Sequence, residues 1–204
     1  MTFLYLARMD VTPSFLPTFE KWYDTRHAPD LITSGFHSCS AFYATEGAPL
    51  VHNVYLIPSV DIFTSPKYLG ARDPKVDTLR PTVLDNVSNR SNTPYAQRVV
   101  LYAQPEQIPE VAFAAGLQFD SNEDPGSLDS RFRETFASYG AAVRFCQRSG
   151  SHINVSEEPQ FYVFAEASSD DDQRNAIDMM DKLLLGGETG VKRQTLRHRI
   201  TFRA

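Results

Sequence analysis

Asp24 and His27 stand three residues apart in the run FEKWYDTRHAPDLITSGFH, residues 19–37. On a helix that spacing places both side chains on one face, where they can meet. A carboxylate beside an imidazole fixes the ring's tautomer and raises its basicity, as a general base requires. Trp22 and Tyr23 adjoin the pair and offer a wall on which a flat organic ligand could stack. A plainer reading stays open, with Trp22 in the core and Asp24 and His27 as a half-exposed surface pair. A second histidine, His52, lies in LVHNVYLI (50–57) and shares a strand face with Leu50, Val54 and Leu56. If both histidines entered one pocket, one neutral imidazole could take a proton while the other donates, which suits isomerase or lyase chemistry near neutral pH. By itself, a histidine on an apolar strand face is more often a satisfied core residue. Tyr43 could hydrogen-bond a substrate carbonyl or serve as a plain hairpin aromatic. Tyr5 and Phe3 read as pocket wall or core.

Asp24, His27 and Asp30 recur every three residues, and one imidazole with two carboxylates would in principle suit a divalent ion. Asp30 follows Pro29, however, which disturbs helical geometry at that point, and no metal site is expected. No P-loop, G-x-G-x-x-G, G-x-S-x-G or Cys-rich zinc pattern occurs, so no cofactor is expected either. Near the end of the chain, Arg197, Arg199 and Arg203 fall on one face of an alternating strand and His198 on the other. That arginine face reads as solvated or as a subunit interface, able to attract a carboxylate.

The rest of the chain must position these groups. At 204 residues, 42% hydrophobic and 22% charged, it can bury a sizeable core. Its formal net charge is −5 with acids and bases interspersed, so nothing attracts a polyanion and no nucleic-acid partner is expected. No apolar run approaches the ~20 residues needed to span a bilayer. The N-terminal run has no basic n-region or cleavage site. Cys39 and Cys146, both in strand-like runs, suggest buried thiols in a reducing compartment. The expectation is a soluble, cytoplasmic protein acting on a small molecule, with no membrane partner.

Two similar series of elements follow each other. In the first, residues 2–9 read as a strand and 12–35 as a helix ending at Gly35. Residues 37–45 and 50–57 form a hairpin, 60–90 are proline-punctuated and partly helical, and 95–103 are a strand. In the second, 110–120 are a strand and 127–140 a helix. Strands follow at 141–149 and 160–167, then a helix from Asp170 to Gly186 with three acids in its first turn, then a strand at 193–203. Residues 49–59 align with 159–169, an offset of 110. Each half is therefore β-α-β-β-α-β, the ferredoxin-like order, and its sheet must cover a second sheet. The expected fold is α+β: two tandem ferredoxin-like repeats, 1–105 and 106–204, packed sheet to sheet as one α/β barrel. Gln104, Pro105 and Pro109 form the linker.

In that setting WYDTRHAPDL and SGFHSCSAFY resemble the motif of the dimeric α/β-barrel superfamily, in its EthD-like branch, over roughly residues 3–57. The resemblance implies cofactor-free small-molecule chemistry in a cleft between sheet and helices, often on aromatic breakdown products or polyketides. Its methylisomerase members carry one functional histidine after the first helix and another on the third strand, positions matched by His27 and His52. They also use a cysteine further along, and this chain has none between Cys39 and Cys146. The second half has Ala137 and Tyr162 where the first has His27 and His52, so the site is expected in the first half. The second half would be scaffold or interface, with room for a homodimer. The leading expectation is proton transfer on an aromatic-derived, lactone or polyketide-like molecule. His27 would be the base oriented by Asp24, His52 its partner, and Tyr43, Trp22, Tyr23 and Tyr5 the substrate contacts. Its rivals are a non-catalytic small-molecule-binding or scaffold protein and an oxygen- or haem-dependent monooxygenase of the same superfamily.

Overall fold

The computed structural model describes residues 2–103, 111–149 and 158–204. The expected linker at Gln104, Pro105 and Pro109 lies outside them. The strands are β1 (Phe3–Val11), β2 (Ser38–Glu46), β3 (Val51–Ile57), β4 (Val87–Leu101), β5 (Phe113–Asp120), β6 (Val143–Arg148), β7 (Phe161–Ala167) and β8 (Thr189–Arg203). They close into one antiparallel barrel in the order β1-β3-β2-β8-β5-β7-β6-β4. Within it run two ferredoxin-like sheets, β4-β1-β3-β2 and β8-β5-β7-β6, which is the α+β barrel that the element order implies. The two sheets join edge to edge through β2–β8 and β4–β6, so neither leaves an unpaired edge. The 110-residue offset holds in register: Tyr5 pairs with Tyr55 on β1–β3, and Ala115 with Ala165 on β5–β7.

Closure and the covering helices bury both faces of β3 and β7, and three apolar clusters result. One fills the barrel interior around Leu6, Phe42, Val54, Tyr95 and Phe164. The other two lie outside the sheet, one beneath the helices of each repeat. In the second repeat those helices are α5 (Pro125–Thr135) and α6 (Asp170–Leu183). Asp124 caps α5 by accepting the Ser127 N–H at 3.0 Å, and Ser169 caps α6 by accepting from Asp172 at 3.1 Å.

The first repeat is less regular. In place of one helix over 12–35, α1 (Leu16–Trp22) and α2 (Ala28–Thr33) flank a π-helical turn at Tyr23–His27. In place of a second long helix stand α3 (Pro66–Ala71) and α4 (Arg80–Asp85). Ser65 caps α3 by accepting the Tyr68 N–H at 3.2 Å, with Pro66 in the first turn. No helix among the described residues is long and apolar enough to cross a membrane.

Candidate functional site

Pro29 shapes the site. It has no N–H to give, and inside an α-helix its ring would collide with the carbonyl four residues earlier, that of Thr25. The chain widens ahead of it, and Ala28 donates its N–H five residues back to the Tyr23 carbonyl. Such π turns recur at functional sites. A wider turn rotates residues three apart away from each other, so Asp24 does not meet His27. Instead Arg199 on β8 donates to both carboxylate oxygens of Asp24, with Nη1–Oδ2 at 2.9 Å. Asp24 therefore does not orient the imidazole. Trp22 takes that part: its ring stacks on that of His27 with centroids 4.5 Å apart and 17° between planes. The indole is itself fixed, since Nε1 donates to both oxygens of buried Asp77 at 3.0 and 3.1 Å.

His27 and Trp22 line a cavity of about 90 Å³ between the first repeat's sheet and its helices. The sheet contributes Tyr5, Met9, Asn53, Tyr55 and Asn92, the helices contribute Phe19, Tyr68 and Val83, and the α2–β2 connection contributes Phe36. Three guanidinium groups complete it, from Arg72, Arg80 and Arg90. Tyr68 stacks on Phe36 at 5.9 Å and carries the Arg72 guanidinium over its ring at 4.9 Å. Leu84 and Arg90 are exposed lining residues, so the cavity opens to solvent on their side.

Of the residues singled out in the sequence, His27, Trp22 and Tyr5 come together on this cavity. Tyr23 lies fully buried behind His27, with centroids 5.7 Å apart and the Arg199 guanidinium 5.5 Å from its ring. Tyr43 is not at the cavity; its hydroxyl donates to the Glu20 carboxylate. His52 does not face it either. Its strand neighbours Asn53 and Tyr55 do, and alternation turns His52 to the barrel interior, paired with Arg8 across β1 and with Phe42 across β2. There it is fully buried, with Nε2 donating to the Pro49 carbonyl at 2.9 Å. The expected pairing of His27 with His52 is thus separated by the sheet itself. Among the described residues no cluster of three or more His, Cys, Asp or Glu gathers where an ion could be held.

The sequence reading missed Arg72, Arg80, Tyr55 and Asn53. Tyr55 and Asn53 were legible in principle, as the polar members of the other face of LVHNVYLI. The arginines carry no local signal, because they stand at the end of one short helix, α3, and the start of another, α4, joined by irregular chain at 72–79.

Burial pushes the His27 pKa well below the usual imidazole range, and the Arg80 and Arg72 charges push it further. The ring is neutral at pH 7. No hydrogen bond ties it to another described residue, so its nitrogens are available to a ligand. Burial lowers Arg72 to about 10, with the Arg80 charge acting in the same direction. Arg80 is lowered by burial and partly restored by Asp77. Burial raises Tyr5 to about 12 against the pull of the same two arginines, keeping its phenol protonated.

No family model matches the chain, and no curated protein sequence does. Solved structures do match. An anthrone oxidase-like protein superposes with a TM-score of 0.64 at 12% identity, over 100% of this chain and 93% of that one. A monooxygenase-like protein of Lactobacillus acidophilus gives 0.63 at 10% identity, over 99% and 96%. A heme-binding protein of Thermus thermophilus gives 0.59 at 10%, over 98% and 91%. At such identities the likeness is one of fold, and the fold is the dimeric α/β barrel, built here from two repeats of a single chain.

Proposed function

We propose that the chain is a cofactor-independent enzyme of the EthD-like branch that moves a proton on a small enolisable molecule, with His27 as the base. The observation that carries this reading is an imidazole hydrogen-bonded to no described residue, stacked on a fixed indole at the wall of a cavity rich in cationic donors. A ring nitrogen of His27 would take a proton from carbon next to a carbonyl. The electron pair would pass to the carbonyl oxygen, where the arginines favour negative charge. Returning the proton at another carbon gives an isomerisation; losing a group from the neighbouring carbon gives an elimination. The cavity is smaller than the ~150 Å³ of an engineered core cavity that takes benzene. A one-ring lactone or aromatic-derived ketone, extending into the open side at Leu84 and Arg90, is therefore favoured over a polyketide of several rings.

The test is hydrogen–deuterium exchange in D₂O, followed by proton NMR on a panel of butenolides and acylphenols. Protein-dependent exchange should fall by about 10²–10⁴-fold in His27→Ala and stay within a few fold in His52→Gln. Unchanged exchange in His27→Ala would end the assignment of the base.

The fold neighbours favour one other reading, since two are described as anthrone oxidase-like and monooxygenase-like. On that reading dioxygen, rather than a proton, meets the same carbanion, and the chain would consume oxygen in an electrode cell with the same dependence on His27. The heme of the Thermus neighbour does not fit this cavity. Sites for ligands well below that size already occupy ~300–1,000 Å³.

A further inference from the structure

We propose that the cavity selects a small planar carboxylate, with Arg80 and Arg72 as its anion anchor. This deepens the proton-transfer reading and rests on the same cavity. The first support is charge: among the described residues three arginines line the space and no aspartate or glutamate does. The second is Arg80 itself. It is only 9% exposed, and its Nη1 is buried without a hydrogen-bond partner. A guanidinium out of water needs compensation. Asp77, the carboxylate nearest to hand, gives both oxygens to the Trp22 indole, and no ion pair joins it to Arg80.

Beyond burial, the Arg80 charge lowers the pKa of Arg72 and the Arg90 charge that of Arg80, so an anion in the cavity that all three line relieves a repulsion. A carboxylate matches the planar fork of a guanidinium through two parallel hydrogen bonds. The walls select the body that carries it. Tyr5, Tyr55, Phe36 and Trp22 present flat faces, and the cavity of about 90 Å³, open on the side of Leu84 and Arg90, admits at most one ring. Asn53, 2% exposed with an unpartnered Oδ1, adds a polar contact for a substituent.

Titration calorimetry with benzoate and with its neutral isostere benzamide tests this on the full chain at pH 7.5. Benzoate should bind at one site at least tenfold more tightly than benzamide. Arg80→Gln and Arg72→Gln should each weaken it tenfold or more, while His52→Gln, on the other side of the sheet, leaves it within threefold. Circular dichroism checks that each variant is folded; Arg80→Lys, which keeps the charge but loses the fork, should retain an intermediate affinity and carries the test if Arg80→Gln does not fold. Equal binding of benzoate and benzamide would overturn the proposal, as would benzoate binding unaffected by both arginine changes. The two readings fail separately. Benzoate binding without exchange on any substrate would remove only the proton transfer. Exchange that benzoate does not inhibit would remove only the carboxylate anchor.

Discussion

The two repeats share one topology and one register, yet one covers a cavity and the other a solid core. Helix-facing positions on β1 and β3 hold Tyr5, Ala7, Met9, Asn53 and Tyr55; 110 residues later β5 and β7 hold Ala115, Leu117, Phe119, Val163 and Ala165. In the second repeat Phe132 and Phe136 of α5 and Met180 of α6 come down on these positions, and Phe119, Phe145 and Phe161 stack among them. Continuous helices deliver apolar side chains at regular spacing, and the space closes. In the first repeat Pro29 breaks one helix, and two short helices with Arg72 and Arg80 replace the other. Irregular chain cannot present a regular apolar stripe, so polar groups reach the sheet and a hollow remains. The same barrel thus carries an apolar filling under one pair of helices and the candidate cavity under the other.

Deleting bulk from the filled side should show the largest effect. Phe145→Ala, at a fully buried ring 5.3 Å from Phe132 and 5.4 Å from Phe161, should destabilise the fold by about 3–5 kcal/mol in urea unfolding. A cost under about 1 kcal/mol would mean that this side is no better packed than the other.

An intermediate effect separates the equivalent interior positions His52 and Tyr162. Burial and the Arg8 charge, against the upward pull of its hydrogen bond to the Pro49 carbonyl, hold His52 down at about 3 rather than the 6.5 of a free imidazole. The unfolded chain therefore takes up this proton first as pH falls. The contribution is whole above about pH 6.5 and declines from there to about pH 3, by about 2 kcal/mol between pH 7 and pH 5. His27 acts with the same sign, whereas burial raises buried Glu166 to about 7, which acts in the opposite sense. The quantity to measure is the difference between the native chain and His52→Gln, in which the shared terms cancel. Parallel stability curves from pH 7 to pH 5 would show that His52 is not held neutral.

The smallest effect should have the opposite direction. Asn53→Val makes the hollow side resemble Val163 and removes an unpartnered buried amide oxygen. It should be neutral or stabilise the fold by about 0.5–1 kcal/mol. A loss above about 1 kcal/mol would mean that Asn53 supports the fold rather than the cavity.

The order of the elements was legible in the sequence, because alternation and turn residues act over a few neighbours, although β4 starts at Val87 rather than at 95 and the helix over 12–35 is broken. Also legible were the ferredoxin-like order of each half and its 110-residue offset. His27, Trp22 and Tyr5 were legible as a cluster near one helix and one strand. Three things were decided only by the tertiary structure. Closure of the barrel buries both faces of β3, so hydrophobicity along LVHNVYLI could not say which face His52 takes. The π turn forced by Pro29 parts Asp24 from His27, and a strand 175 residues away supplies Arg199 as its partner. Arg72 and Arg80 reach the cavity through chain that has no periodicity to read. Local pattern determines what each segment becomes; which charges meet in a shared hollow depends on how distant segments pack.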